Sequence, residues 1–101
     1  MSVTPVPGPN RAVAVSGAPT VALPASLNGG LVVNPVLAVD QGVPTVETLF
    51  VDPTGAAPTL YAGGTTFALA PGQSWSAIPG QTTTTSVTSV TTGHKFSSVY
   101  W

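Results

Sequence analysis

Short runs rich in Val, Thr, Phe, Tyr and Trp recur along the chain, and Gly- or Pro-containing breaks separate them. β-Branched and aromatic side chains fit a pleated surface, so these runs predict strands over 31–34, 48–52, 65–69, 73–78, 83–90 and 95–101. The breaks carry explicit turn chemistry in Asp52-Pro53-Thr54-Gly55, Ala62-Gly63-Gly64, Pro71-Gly72, Pro79-Gly80 and Thr92-Gly93. Eleven Gly and eleven Pro leave little room for helices of ordinary length. Many short strands with turn signals at this spacing predict an all-β chain, a small antiparallel β-sandwich or barrel. The connection 34–46, with Asp40-Gln41-Gly42 and Pro44, reads as a loop.

Alternation within the strands says more than their number, because successive side chains point to opposite faces. In the last strand Phe96, Ser98 and Tyr100 share one face, and Lys95, Ser97, Val99 and Trp101 share the other. Leu49 and Val51 oppose Phe50 in the same way. A sheet with one wet face alternates apolar and polar cleanly, so strands apolar on both faces predict either a second packed layer or a covering partner, and in a chain this small the partner is favoured. In the tract 81–92, Thr83, Thr85 and Val87 fall on one face while Val90 breaks the period. A β-bulge near Thr88 or Ser89 would restore it.

The first 28 residues differ. Pro5, Pro7 and Pro9 at every second position fix φ and remove backbone donors, which predicts an extended Pro-rich N-terminal arm over 1–28 followed by the domain 29–101. Within the arm, 11–15 and 20–23 are β-like and could pair as a hairpin. Fully extended, 28 residues reach about 90 Å, enough to cross a neighbouring subunit.

Charge narrows the functions available. Arg11 and Lys95 stand against Asp40, Glu47 and Asp52, a net charge of −1, where an average domain has about 25% charged residues. Two basic residues cannot make the phosphate contacts that nucleic-acid affinity rests on, nor a polybasic patch for anionic lipid. No apolar run approaches the length of a membrane-spanning helix, so neither nucleic acid nor membrane is an expected partner. The N-terminal sequence lacks the apolar region of a secretory signal, which predicts synthesis in the cytoplasm. With so few ions, the outer surface is expected to draw its polarity from Thr, Ser, Asn and Gln, and the charges to lie in turns or in pairs between chains.

Catalytic parts are missing. Cys is absent and His94 is the only histidine, so a zinc site with several N or S ligands is excluded within one chain, and no Ser sits in a G-x-S-x-G elbow. The three acids lack the dense spacing of a calcium loop. No catalytic residue, cofactor or metal is expected. His94 reads as a hairpin residue after Gly93, Asp52 as the cap of its own turn, Asp40 as a turn residue, and Glu47 as a partner for Arg11 or Lys95. Trp75 reads as core. A chain closing on Tyr100-Trp101 predicts that its last strand is docked, within the fold or on a neighbour. The interface is expected to draw on Val3, Val6, Arg11, Val13, Val15, Phe50, Tyr100 and Trp101.

The stretches NPVLAVDQGVPTVETLFVDPTG, GGTTFALAPGQSWSAIPGQTTT and GHKFSSVYW, together with the opening MSVTPVPGPNRAVAVSG, resemble small structural proteins encoded by tailed bacteriophages. The resemblance extends over nearly the whole chain and brings no catalytic residue with it. It implies a non-enzymatic virion component on the capsid surface, a head decoration or cement protein. Its partners would be the major capsid protein and itself, as a homotrimer or another small symmetric oligomer. A tail or fibre subunit is the alternative in the same setting. From a different class, a carbohydrate-binding module would stack host glycan on Trp75, Tyr61 and Trp101.

Overall fold

The computed structural model describes residues 6–7, 12–14, 19–25, 28–80 and 82–100. Its strands are β1 (Val6–Pro7), β2 (Ala12–Ala14), β3 (Thr20–Leu23), β4 (Gly30–Val33), β5 (Leu49–Asp52), β6 (Phe67–Leu69), β7 (Ser74–Ala77), β8 (Thr85–Ser89) and β9 (His94–Tyr100). One short helix, α1 (Ala38–Gln41), lies between β4 and β5. All strand pairs are antiparallel and form two sheets, as the all-β pattern requires.

The first sheet runs β1-β9-β4-β7, with β2 also paired to β9, and the second runs β3-β8-β5-β6. The last strand is therefore docked inside the fold: it takes β4 along one edge, and β1 and β2 pair with successive parts of it. Pro7 sits on an outermost strand of its sheet, where a missing backbone donor does the least damage. The core lies between the sheets. Ala22, Leu23, Val32, Leu49, Val51, Leu69, Ala77, Val87 and Phe96 form it, with Trp75 and Tyr100 packed against it. The alternation expected in β9 is present, with Phe96 and Ser98 buried and Lys95 exposed.

Three expectations change. The segments 12–14 and 20–23 do not pair as a hairpin; β2 lies on β9 and β3 on β8, in opposite sheets. The bulge is in β3, between Val21 and Leu23, while β8 keeps unbroken register with β5 from Ser86 to Ser89. Every residue of β8 is buried, so the period-two pattern that seemed to demand a bulge there has no wet face to serve. For the same reason the hydroxyls of Thr85, Ser86, Thr88 and Ser89 lie in the interior. Part of the cost of burying hydroxyls is met by bonds to nearby carbonyls, from Ser86 Oγ to Ala56 O and from Ser89 Oγ to Thr91 O, both 2.6 Å. Finally, the connection 34–46 contains α1, and Asp40 lies in that helical turn. Gly42 closes it in the left-handed conformation, φ 72°, donating its N–H to Ala38 O at 2.8 Å.

β5 explains the two-faced apolar pattern. It lies between β8 and β6 and is buried along its whole length. Leu49 and Val51 enter the core, and Phe50 on the opposite face is only 7% exposed. The chain itself supplies the cover for which the pattern called.

Candidate functional site

At one end of the sandwich, where β4 finishes, Asn34 enters the space between the sheets and is fully buried. Its Nδ2 donates to Glu47 O at 3.0 Å and to Leu69 O at 2.9 Å. Its Oδ1 accepts from Gln41 Nε2 at 3.1 Å and lies 2.8 Å from His94 Nε2. The backbone is engaged as well, with Asn34 N donating to Gln73 O and Gly72 N donating to Asn34 O. Both donors and both acceptor sites of the side-chain amide are thus used, which is all an Asn has.

Gln41 completes the constellation. Its Nε2 has two hydrogens for three acceptors, Pro35 O at 2.8 Å and, at 3.1 Å each, Glu47 O and Asn34 Oδ1, so one hydrogen is shared, while its Oε1 accepts from Glu47 N at 2.8 Å. Gln41 is the buried residue of the one-turn helix. Glu47 then reaches the turn between β8 and β9, where its Oε2 accepts from Thr91 Oγ1 at 2.6 Å and its Oε1 lies 3.9 Å from His94 Nδ1. Asn34, Gln41, Glu47, Thr91 and His94 therefore join β4 and β9 of one sheet to β5, β6 and β8 of the other. Glu47 was expected to pair with Arg11 or Lys95; its described partners are Thr91 and His94. Lys95 points the other way, its aliphatic stem lying over Gly42. His94 is not merely a hairpin residue: it is wholly buried. Burial holds its imidazole below the usual histidine range, against the opposing pull of the Glu47 charge.

At the other end of β5, Asp52 caps its own turn, as the sequence predicts. Its Oδ1 accepts from Thr54 N at 2.8 Å and Thr54 Oγ1 at 2.6 Å, and its Oδ2 from Thr65 Oγ1 at 2.8 Å. Burial works against ionisation here, but the hydrogen bonds from the Thr54 side chain, the Thr54 backbone and Thr65 outweigh it and hold the carboxyl below the usual range. Beside Asp52 is an open cleft of about 330 Å³, lined by Asp52, Thr59, Tyr61, Gly63, Thr65 and Thr66 among others. Tyr61 is exposed at it.

The rest of the surface is unusually apolar for so few charges. Val36, Leu37, Val39 and Val46 are all exposed within the single connection that carries α1, Val39 to 81%. Val21, Phe67, Ile78 and Val90 are exposed elsewhere.

Of the residues expected at an interface, Val6 and Tyr100 are brought together as partners in the β1–β9 ladder, and Val13 stands opposite Lys95 in the β2–β9 ladder. Tyr100 is half-buried against the core. Phe50 is inside the fold. Val3, Arg11, Val15 and Trp101 lie outside the described residues. Trp75 is half-buried on β7, in the opposite sheet from β5, whose end carries Asp52 and the Tyr61 cleft. Residue-type reasoning missed the apolar group at 36–46 because that segment was read only for its turn residues. Among the described residues no group of three or more potential metal ligands is present, and no helix is long and apolar enough to cross a membrane.

Compared with known protein families, with curated proteins and with solved structures, the chain matches none.

Proposed function

We propose that this chain is a non-enzymatic virion structural protein that decorates and stabilises a capsid shell through protein–protein contacts. The observation that carries the reading is the set of exposed apolar side chains at Val36, Leu37, Val39 and Val46 on a chain with five formal charges. Large apolar surface left open on a small domain favours desolvation against another protein, and a surface with few ions loses little hydration on being covered. The sequence resemblance to tailed-phage structural proteins points the same way. The partners are the major capsid protein and further copies of the chain, as a homotrimer on the shell. A component that binds only the assembled shell stabilises it by mass action.

Electron microscopy of the particle that contains the chain tests this reading. Density at regular, quasi-symmetric shell positions is the expected result, and confinement to the tail would replace it with a tail or fibre subunit. A second reading has one observation in its favour: the cleft beside Asp52 sets threonine hydroxyls next to an exposed tyrosine ring, a combination suited to sugar. Glycan-array binding that Tyr61→Ala abolishes would establish it.

A further inference from the structure

Two buried atoms in the Asn34 constellation, Glu47 Oε1 and His94 Nδ1, have no hydrogen-bond partner among the described residues, and they face each other at 3.9 Å. The network determines what kind of atoms they are. Asn34 Nδ2 is identified as the donor because it contacts two backbone carbonyls, which leaves Oδ1 as the acceptor opposite His94 Nε2. His94 must therefore carry its proton on Nε2, and in the neutral ring Nδ1 presents a bare lone pair. A lone pair thus looks at a carboxylate oxygen, with no proton between them.

We infer that this end of the sandwich is a proton-operated clasp: neutral His94 holds the two sheets together through Asn34, and protonation at Nδ1 forces the clasp to open. A protonated imidazole is a donor at both nitrogens. Nε2 is already committed at 2.8 Å, and the new Nδ1–H needs an acceptor at about 2.8 Å, so Glu47 Oε1 would have to move roughly 1 Å closer. The Glu47 backbone is held by Asn34 and Gln41, and its carboxylate is anchored through the other oxygen by Thr91 at 2.6 Å. Either Oε1 is drawn in against the Thr91 contact, or the new N–H stays buried without an acceptor, and both weaken the seam that joins the sheets. Glu47, whose side chain is 19% exposed, gives the proton its route from solvent.

No other described ionisable group faces the ring. β1, β2, β3 and β4, which pack on β9, have no ionisable side chains; α1 contributes Asp40, and Lys95 on β9 itself lies on the opposite face. Because burial already disfavours the charged ring, the folded state binds this proton more weakly than the unfolded chain does. Stability from this source is present above the ordinary histidine value of 6.5 and is lost as pH falls below it, down to the folded value.

The chain has a single histidine, so its ¹⁵N imidazole resonances are unambiguous. The expected spectrum is the Nε2–H tautomer near neutrality, titrating below 6.5. The unfolding constant should rise by up to tenfold per pH unit below 6.5, and protection factors for the Glu47 and Gly72 amides should fall in step while those of the β5–β8 ladder hold. His94→Gln, which keeps a donor for Asn34 but cannot titrate, should lose this slope. Should that variant not fold, Glu47→Gln serves, because it removes the carboxylate charge that opposes the effect of burial and should move the histidine titration further down. A histidine that titrates at or above 6.5 in the folded protein, an Nδ1–H tautomer, or seam amides indifferent to acid would each overturn the proposal.

Discussion

Glu47, two residues before β5, and Asp52, its last residue, flank the same strand and put their charge to opposite uses. Asp52 is satisfied mostly from within its own turn, by Thr54 two residues on, with Thr65 added from the next loop. Glu47 is held by residues far along the chain, 44 positions away at Thr91, and keeps one oxygen unpaired beside His94. A carboxylate that its own turn satisfies is a fastener. One that is completed only by tertiary neighbours, and then incompletely, is responsive, because its remaining bond depends on a proton.

The largest test of this contrast is Asn34→Ala. It strips partners at once from His94 Nε2, Gln41 Nε2 and two buried carbonyls, so a loss of about 3 kcal/mol or more is expected in the denaturant midpoint. A loss under about 1 kcal/mol would mean that the clasp does not join the sheets. Asp52→Ala should be milder, about 2 kcal/mol, because Thr54 is exposed and Thr65 borders an open cleft, so the freed groups can turn to water.

Acid separates the two ends further. Asp52 is held below its ordinary 3.8, so its contribution is present above that value and is lost as pH falls through the folded value. Asp52→Asn should flatten the stability profile below about 3.8 and leave the histidine-dependent limb, which begins at 6.5, unaltered. A single merged acid transition abolished by either substitution would erase the distinction. The smallest effect is expected in the Asp52 turn, at Gly55→Ala. Gly55 has φ 79° and a Cβ there would meet Thr84 Oγ1 at 2.6 Å, so about 1–2 kcal/mol should be lost through backbone strain and a rotated threonine. Thermal unfolding would register it.

The Asp52 end was legible because its chemistry is local. Asp-Pro-Thr-Gly contains its own acceptor, its own donors and its own left-handed glycine, and any context would fold it similarly. The Asn34 end was not. Asn34, Gln41, Glu47, Thr91 and His94 have no common spacing, and each alone reads as a loop or hairpin residue. Strand alternation marked Phe96, Ser98 and Tyr100 as sharing a face, yet the same reasoning misplaced the bulge and did not show that the Thr- and Ser-rich β8 is buried on both faces. Its position between β3 and β5 is a matter of strand order, which alternation does not contain.

By itself, the sequence determined the class of the fold, its main turns and the alternating faces of β9, since these follow from φ restrictions, β-branching and a period of two. It also ruled out disulfides and thiolate ligands within the chain, since it contains no cysteine. Only the tertiary structure decided that β2 and β3 part into opposite sheets, that β5 is covered by its own chain, and that Glu47 meets His94. Those outcomes depend on which strands pair across distant stretches of chain. A side chain takes its chemical role from neighbours that the linear order does not name.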